Sequence, residues 1–326
     1  MKKQIMYPVL EIPRLAYPFR DLKNQQAEKI EAESKTWLNN DYTSMPEAFL
    51  QKKKHYKYQQ TNVGHMGARM YPFATFEKLK PIVRFLLWGL INDDLYEDCP
   101  VSELQAVRER TIAVLKGYPV LQHDNSLFDQ LKLQREEMLS FMPYYWMNRY
   151  IHSIDRGFEG MQLEAYYKSR MIFPTVNDYN TIREKAVLVF PLIDLCELQS
   201  GQALPDKVFH HPVIQRASSL VCRIVAYAND YFSVEKERGK DVMNIVLVLE
   251  QELGLTTTDA YLKAIELHDN YVDEFCQIAQ NLPDFGVYNH HVQRLLDHLG
   301  VLISGHKSWY ELDTFRYIKT DPAVTA

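Results

Sequence analysis

The chain has 326 residues, 46% of them hydrophobic and 24% charged, with a formal net charge of −5. That balance suits a folded globular protein, excludes wholesale disorder, and leaves no general basic field to draw nucleic acid. Four widely spaced cysteines, Cys99, Cys196, Cys222 and Cys276, form no CxxC pair, so zinc-ribbon and dithiol redox readings lack support and a reducing, cytoplasmic setting fits better.

In chain order, Met1 to Pro8 lack the long apolar stretch of a secretory signal. No apolar run reaches the ~20 residues that span a bilayer, because Arg84 interrupts Ile82 to Ile91. The basic run Lys52-Lys53-Lys54-His55-Tyr56-Lys57 reads as a solvated helix surface. Phe76 to Ile91 is predicted as a helix, with Pro81 early in it, and it delivers its C-terminal end into Asn92-Asp93-Asp94-Leu95-Tyr96-Glu97-Asp98. Asp93 and Glu97 share one helical face, where like charges repel and also oppose the helix dipole. A divalent cation would relieve that repulsion. The oxygen donors Asp93, Asp94 and Glu97 suit magnesium or manganese, and a solvated acidic helix end is the plain alternative.

Val213 to Lys236 is predicted as a second long helix and ends in Asn229-Asp230-Tyr231-Phe232-Ser233-Val234-Glu235-Lys236-Glu237. Asn229, Ser233 and Glu237 recur every four residues down one face, a line of about 12 Å. An amide, a hydroxyl and a carboxylate together suit a hard cation that keeps positions for phosphate and water oxygens. Asp241 to Leu253, Thr258 to Ala279 (behind a Thr-Thr-Asp cap signal), Val292 to Ile303 and Trp309 to Ile318 are the remaining expected segments. Pro174, Pro205, Pro212, Gly254 and Pro283 fall between elements. Strand alternation is scarce, glycine-rich nucleotide loops and HExxH are absent, and the pairs His210-His211 and His290-His291 diverge too far on a helix to chelate one ion. The fold class is all-α.

The two acidic segments, 136 residues apart (229 − 93), resemble the two metal-binding motifs of class I terpene synthases in type and order. The resemblance runs from Ala16-Tyr17-Pro18-Phe19 to Arg316-Tyr317 and is nearest to the bacterial-type, single-domain cyclases. It implies one domain over 1–326, an α-helical bundle around a central active-site cavity. It implies magnesium, three ions once diphosphate is bound, held by Asp93, Asp94, Glu97, Asn229, Ser233 and Glu237. It implies that Arg183 senses the diphosphate, that Arg316, Tyr317 and Lys236 assist, and that Val187 stands where the family often has a glycine at a helix break. Trp309 corresponds to a pocket-roof tryptophan, and Trp88, Gly89 and Leu90 lie where the pocket floor is expected.

The reaction implied is that of a lyase: ionisation of a linear isoprenyl diphosphate, farnesyl or geranylgeranyl, and carbocation cyclisation to a sesquiterpene or diterpene hydrocarbon or alcohol. Gly89, in place of an aromatic ring, favours twenty carbons, while the family's prevalent substrates favour fifteen. A homodimer is compatible with the resemblance. An isoprenyl diphosphate synthase is the nearest competitor, but its second motif is aspartate-rich, unlike Asn229/Ser233/Glu237. A non-catalytic helical binding protein is the remaining alternative, and Val187 is what keeps it open.

Overall fold

A computed structural model describes residues 12–50, 52–96 and 99–315, with the side chains of 48 and 52–56 left out. Among these residues every regular element is helical, as the three-and-four spacing of apolar side chains demands. In order they are α1 (Ala27–Asn40), α2 (Glu47–Leu50), α3 (Lys52–Thr61), α4 (Val63–Met70) and α5 (Phe76–Tyr96). There follow α6 (Val101–Leu115), α7 (Ser126–Leu139), α8 (Tyr144–Lys168), α9 (Val176–Ala186) and α10 (Val189–Ser200). The chain continues through α11 (Asp206–Phe209), α12 (Pro212–Glu237), α13 (Ile245–Leu253), α14 (Thr257–Gln280) and α15 (Asn289–Ser308), which runs into a π-helical turn, Trp309–Asp313.

Two helices form the interior. Every residue of α10 from Val189 to Gln199 is buried, which is why its sequence has no polar face to show. In α5 the run Ile82 to Trp88 is buried throughout. Arg84 is tolerated there because its guanidinium donates to Glu137 at 3.2 and 3.1 Å and to Gln130 at 2.5 Å, above the Trp37 ring. A charge so placed needs those partners, since an unpaired one would cost several kcal/mol. The helices α1, α4, α7, α8, α12 and α15 close around this interior.

The termini of the expected helices are set by caps. α13 begins at Ile245 rather than at Asp241, because Asp241 accepts from the backbone N–H groups of Val242 and Met243 and Asn244 supplies the N-cap to Val246. α14 is capped by the Thr256 hydroxyl, which accepts from Asp259 N, a bond worth ~1 kcal/mol. Of the last expected segment, Trp309 to Ile318, Trp309–Asp313 form a π-helical turn and 316–318 lie outside the described residues. Asp313 is tied to Lys23 at 3.0 Å and to Arg69 at 2.5 Å. No helix is long and apolar enough to cross a membrane among the described residues.

Candidate active site

A cavity of ≈ 170 Å³ opens between α5, the α9–α10 junction, α12 and the end of α15. Its walls are apolar and aromatic, with Phe85, Leu86, Leu192, Val225 and Trp309 among them, and its polar residues are Asp93, Arg183, Asn229, His306 and Tyr310. On α5 the lining residues Leu86, Gly89, Leu90 and Asp93 recur at i, i+3, i+4 and i+7, so one stripe of the helix faces the space. Trp88 is a correction. It lies about 100° around the helix from Gly89, is 1% exposed, and packs in the core against Phe85 and Phe158. Gly89 borders open space, since a Cβ built there meets nothing within 4 Å. Trp309 lines the cavity with its ring fixed by Nε1–H donating to Thr61 O at 2.9 Å.

The polar groups are interlocked. Arg183 donates to Asn229 Oδ1 at 3.0 Å, to Asp230 at 3.1 Å and to Glu164 at 3.3 Å, while its buried Nε–H has no acceptor. Burial pulls against the Arg183 charge, but Asp230 and Glu164 more than offset it and its pKa is raised. Asp230 is fully buried on α12 and accepts from Arg183, from the Tyr179 hydroxyl and from Ile245 N. Burial raises its pKa and Arg183 opposes the rise; with three donors converging on it we assign the ionised form. Asn229 completes its own bonding by donating from Nδ2 to Tyr310 Oη at 2.6 Å. Lys168 on α8 lies 3.5 Å from Glu164 and 3.2 Å from Asp241. Burial would lower its pKa, yet Glu164, Asp241 and Asp93 together raise it.

Ser233 and Glu237 follow Asn229 on the same face of α12. Ser233 is buried and Glu237 half-buried, and both are held from one side by Asn244, whose Nδ2 lies 3.5 Å from Ser233 Oγ and 2.8 Å from Glu237 Oε2. Lys236 is exposed in the last turn of α12 and does not line the cavity. On α5, Asp93 is exposed at the cavity, whereas Asp94 turns to α3 and accepts from Lys57 at 2.7 Å and from the Tyr58 hydroxyl at 2.6 Å. Lys57 therefore departs from the expectation of a solvated surface, and Asp94 from that of a cavity-facing donor. Glu97, Arg316 and Tyr317 lie outside the described residues. Among the described residues no three His, Cys, Asp or Glu side chains are placed to hold a metal ion by themselves. The candidate donors are instead the mixed oxygen set on α12 together with Asp93, and they fit a hard divalent cation that takes its other oxygens from a ligand and water.

The break between α9 and α10 is formed without glycine. Val187 is the C-cap of α9 with φ −66°, and Leu188 takes the left-handed conformation with φ 55°. The cause sits four residues beyond Val187, where Pro191 has no N–H to offer the Val187 carbonyl and would clash with it in a continuous helix. In the first turn of α10 the same proline is tolerated, because N–H groups there have no helical acceptor. The α8 glycines admit the break. A Cβ on Gly160 would stand 2.3 Å from Ala186 N, and one on Gly157 would stand 2.1 Å from Leu188 Cδ2. Both Val187 and Leu188 line the cavity.

Several of these residues escape a sequence reading: Asp230, Glu164, Lys168, Asn244, Pro191, Gly157 and Gly160. Two carried a signal, since Pro191 stands at the blocking distance from Val187 and Asp230 adjoins Asn229 inside the second motif.

A family model described as terpene synthase family 2, C-terminal metal binding, matches residues 84–274, more than half of the 326-residue chain. A (+)-T-muurolol synthase ((2E,6E)-farnesyl diphosphate cyclizing) of Roseiflexus castenholzii is 26% identical over 94% of this chain and 94% of its own length. A (+)-eremophilene synthase of Sorangium cellulosum is 26% identical over 79% of each chain, and a germacrene A synthase of Nostoc punctiforme is 25% identical over 91% of this chain and 90% of its own. Among solved structures, a linalool/nerolidol synthase from Streptomyces clavuligerus superposes with a TM-score of 0.82 at 21% identity, covering 91% of this chain and all of the other (100%). That likeness shows a shared α-helical fold.

Proposed function

The chain belongs to terpene synthase family 2, and from that membership in the class I terpene cyclases we propose that it ionises farnesyl diphosphate and folds the fifteen-carbon cation into a sesquiterpene. The observation that carries this reading is one cavity with two chemistries. Asp93, Arg183 and Asn229 line it alongside Phe85, Leu86, Leu192, Val225 and Trp309. An anionic head needs the first set and a reactive hydrocarbon cation needs the second. Aromatic faces attract such a cation by ~0.5–2 kcal/mol each, and a dry wall keeps water from quenching it. The fifteen-carbon choice rests on the relatives, of which one is named for cyclising farnesyl diphosphate.

Family membership implies a divalent metal, and we propose magnesium at Asp93 and at Asn229, Ser233 and Glu237, where three ions would neutralise the leaving diphosphate. Arg183 lines the cavity with a planar fork suited to phosphate oxygens. Glu164 and Asp230 hold that fork in place, while Lys168 adds positive charge behind Glu164. By the same resemblance Arg316, Tyr317 and Lys236 would assist in binding the diphosphate. Cleavage of the allylic C–O bond would leave the cation in the cavity that Val187 and Leu188 border.

The test is incubation of the purified protein with magnesium and geranyl, farnesyl or geranylgeranyl diphosphate in turn, following diphosphate release and the volatile products. Farnesyl diphosphate is expected to give cyclic fifteen-carbon products. Exclusive turnover of geranylgeranyl diphosphate would overturn the substrate, and no release from any of the three would overturn the reaction.

A further inference from the structure

His306 is the group in the cavity that the reading above leaves without a task. It lies near the end of α15, three residues before Trp309, and lines the cavity while being only 4% exposed. Its Nδ1 is enclosed and has no hydrogen-bond partner. A buried imidazole nitrogen without a partner is uncommon, because the desolvation it suffers is normally offset by a hydrogen bond. The surroundings supply none. The Tyr310 ring stands edge-on at 5.0 Å and the Trp309 ring lies at 6.4 Å, while the Tyr310 hydroxyl accepts from Asn229. The helix that carries the ring is seated on α4, where a Cβ on the neighbouring Gly305 would meet Arg69 O at 2.3 Å.

We propose that His306 is a catalytic residue, the base that ends the cyclisation by taking a proton from the last carbocation. The proposal rests on the function given above. In the step, a C–H bond next to the cationic carbon breaks, its electron pair becomes the new C=C bond, and the proton goes to the lone pair of Nε2, since Nδ1 is enclosed and carries the hydrogen of the neutral ring. The positive charge moves from carbon to the ring, and the imidazolium returns the proton to solvent when the product leaves. No oxidant, reductant or further reactant is needed. Burial lowers the His306 pKa to about 4, so the ring waits in its neutral form, and even so modest a base far exceeds what a carbocation requires. A cation-lined wall would be unhelpful here, and the same burial prevents it.

Three variants test this. His306→Phe keeps an aromatic ring without a lone pair, while His306→Asn and His306→Gln keep polarity without basicity. Each is assayed against the wild type with magnesium and farnesyl diphosphate, with the melting temperature measured alongside. Diphosphate release is expected within about threefold of wild type, because ionisation does not involve the imidazole. The share of the principal wild-type hydrocarbon is expected to fall at least tenfold, replaced by products deprotonated elsewhere or by alcohols. An unchanged product pattern in any folded variant overturns the proposal. So does a wild-type product that is itself an alcohol, and so does failure of all three variants to fold, which would make His306 a core residue. A wild-type protein that releases no diphosphate would instead defeat the function on which the proposal stands.

Discussion

Leu188 sits directly over Gly157, so closely that a methyl group on the glycine would reach within 2.1 Å of Leu188 Cδ2. Three residues further along α8, Gly160 makes the same approach to the backbone of Ala186, at 2.3 Å from its nitrogen. The two glycines thus seat the junction that borders the cavity. The left-handed Leu188 costs of order 1 kcal/mol or more in a residue with a side chain, and α8 is what holds it there.

Alanine at these two positions should have unequal effects. In Gly157→Ala the new methyl meets the end of a flexible side chain, whereas in Gly160→Ala it meets main chain. Overpacking of the second kind costs roughly 1–3 kcal/mol. Gly160→Ala is therefore expected to lower the melting temperature more than Gly157→Ala, and to slow product formation more. Equal melting temperatures would show that the junction moves freely with α8.

Pro191→Ala separates stability from chemistry. Alanine restores an N–H four residues from the Val187 carbonyl and allows α9 to continue, so the fold should be at least as stable by thermal melting. Diphosphate release should nevertheless drop by tenfold or more, because a continuous helix would remove the break whose residues Val187 and Leu188 line the cavity. Full activity in a variant with greater helical content would refute a role for the break.

Arg183→Lys retains charge and loses the fork that spans Asn229, Asp230 and Glu164. Turnover is expected to fall by orders of magnitude with a small change in KM. Asp93→Asn and Glu237→Gln should do the same while circular dichroism stays that of the wild type. Excess chelator should abolish activity in all cases and magnesium should restore the wild type. Activity undiminished in chelator would sink the proposed metal site.

Gly89→Phe probes chain length. With nothing within 4 Å of a Cβ at this position, the ring enters the cavity rather than a neighbouring helix, and helix propensity favours the change by up to ~1 kcal/mol. The variant should melt at or above the wild-type temperature. Any turnover of geranylgeranyl diphosphate should fall further than that of farnesyl diphosphate. An unchanged ratio would place the hydrocarbon away from Gly89.

His306 also makes a prediction about pH. Its folded pKa, about 4, lies below the ordinary 6.5, so the unfolded chain binds the extra proton more readily. Its contribution to stability is present above pH 6.5 and is lost as pH falls toward 4, in all about 3 kcal/mol. The melting temperature of the wild type should decline more steeply across that window than that of His306→Phe. Parallel curves would mean that the imidazole is hydrated in the folded protein.

The fold class and the ends of α5 and α12 were legible because their apolar periodicity stops at polar clusters that local geometry alone cannot excuse. Asp93 and Asn229 could be singled out on those grounds, and Arg183 only through the family resemblance. Trp88 shows the limit of such reading, since one residue's error on a helix is a turn of about 100° and puts a pocket residue into the core. Asp94 and Lys57 show another. Each looked like part of a run of like charges, and only tertiary structure pairs α5 with α3. The glycines of α8 acquire meaning only from Leu188 and Ala186 across the interface.

The 3.0 Å hydrogen bond from Arg183 to Asn229 Oδ1 has a thermodynamic consequence. A cation coordinated by that oxygen and a diphosphate gripped by that edge of the guanidinium would each compete with the same contact. Whichever arrives first bears the cost of opening it, and the second then finds its partner already released. The two affinities must therefore reinforce each other by one and the same factor, whichever is measured. A mutually dependent loading of the site follows, in which neither ion nor substrate binds well alone. Titrating diphosphate at several magnesium concentrations, and magnesium at several diphosphate concentrations, should return equal coupling factors.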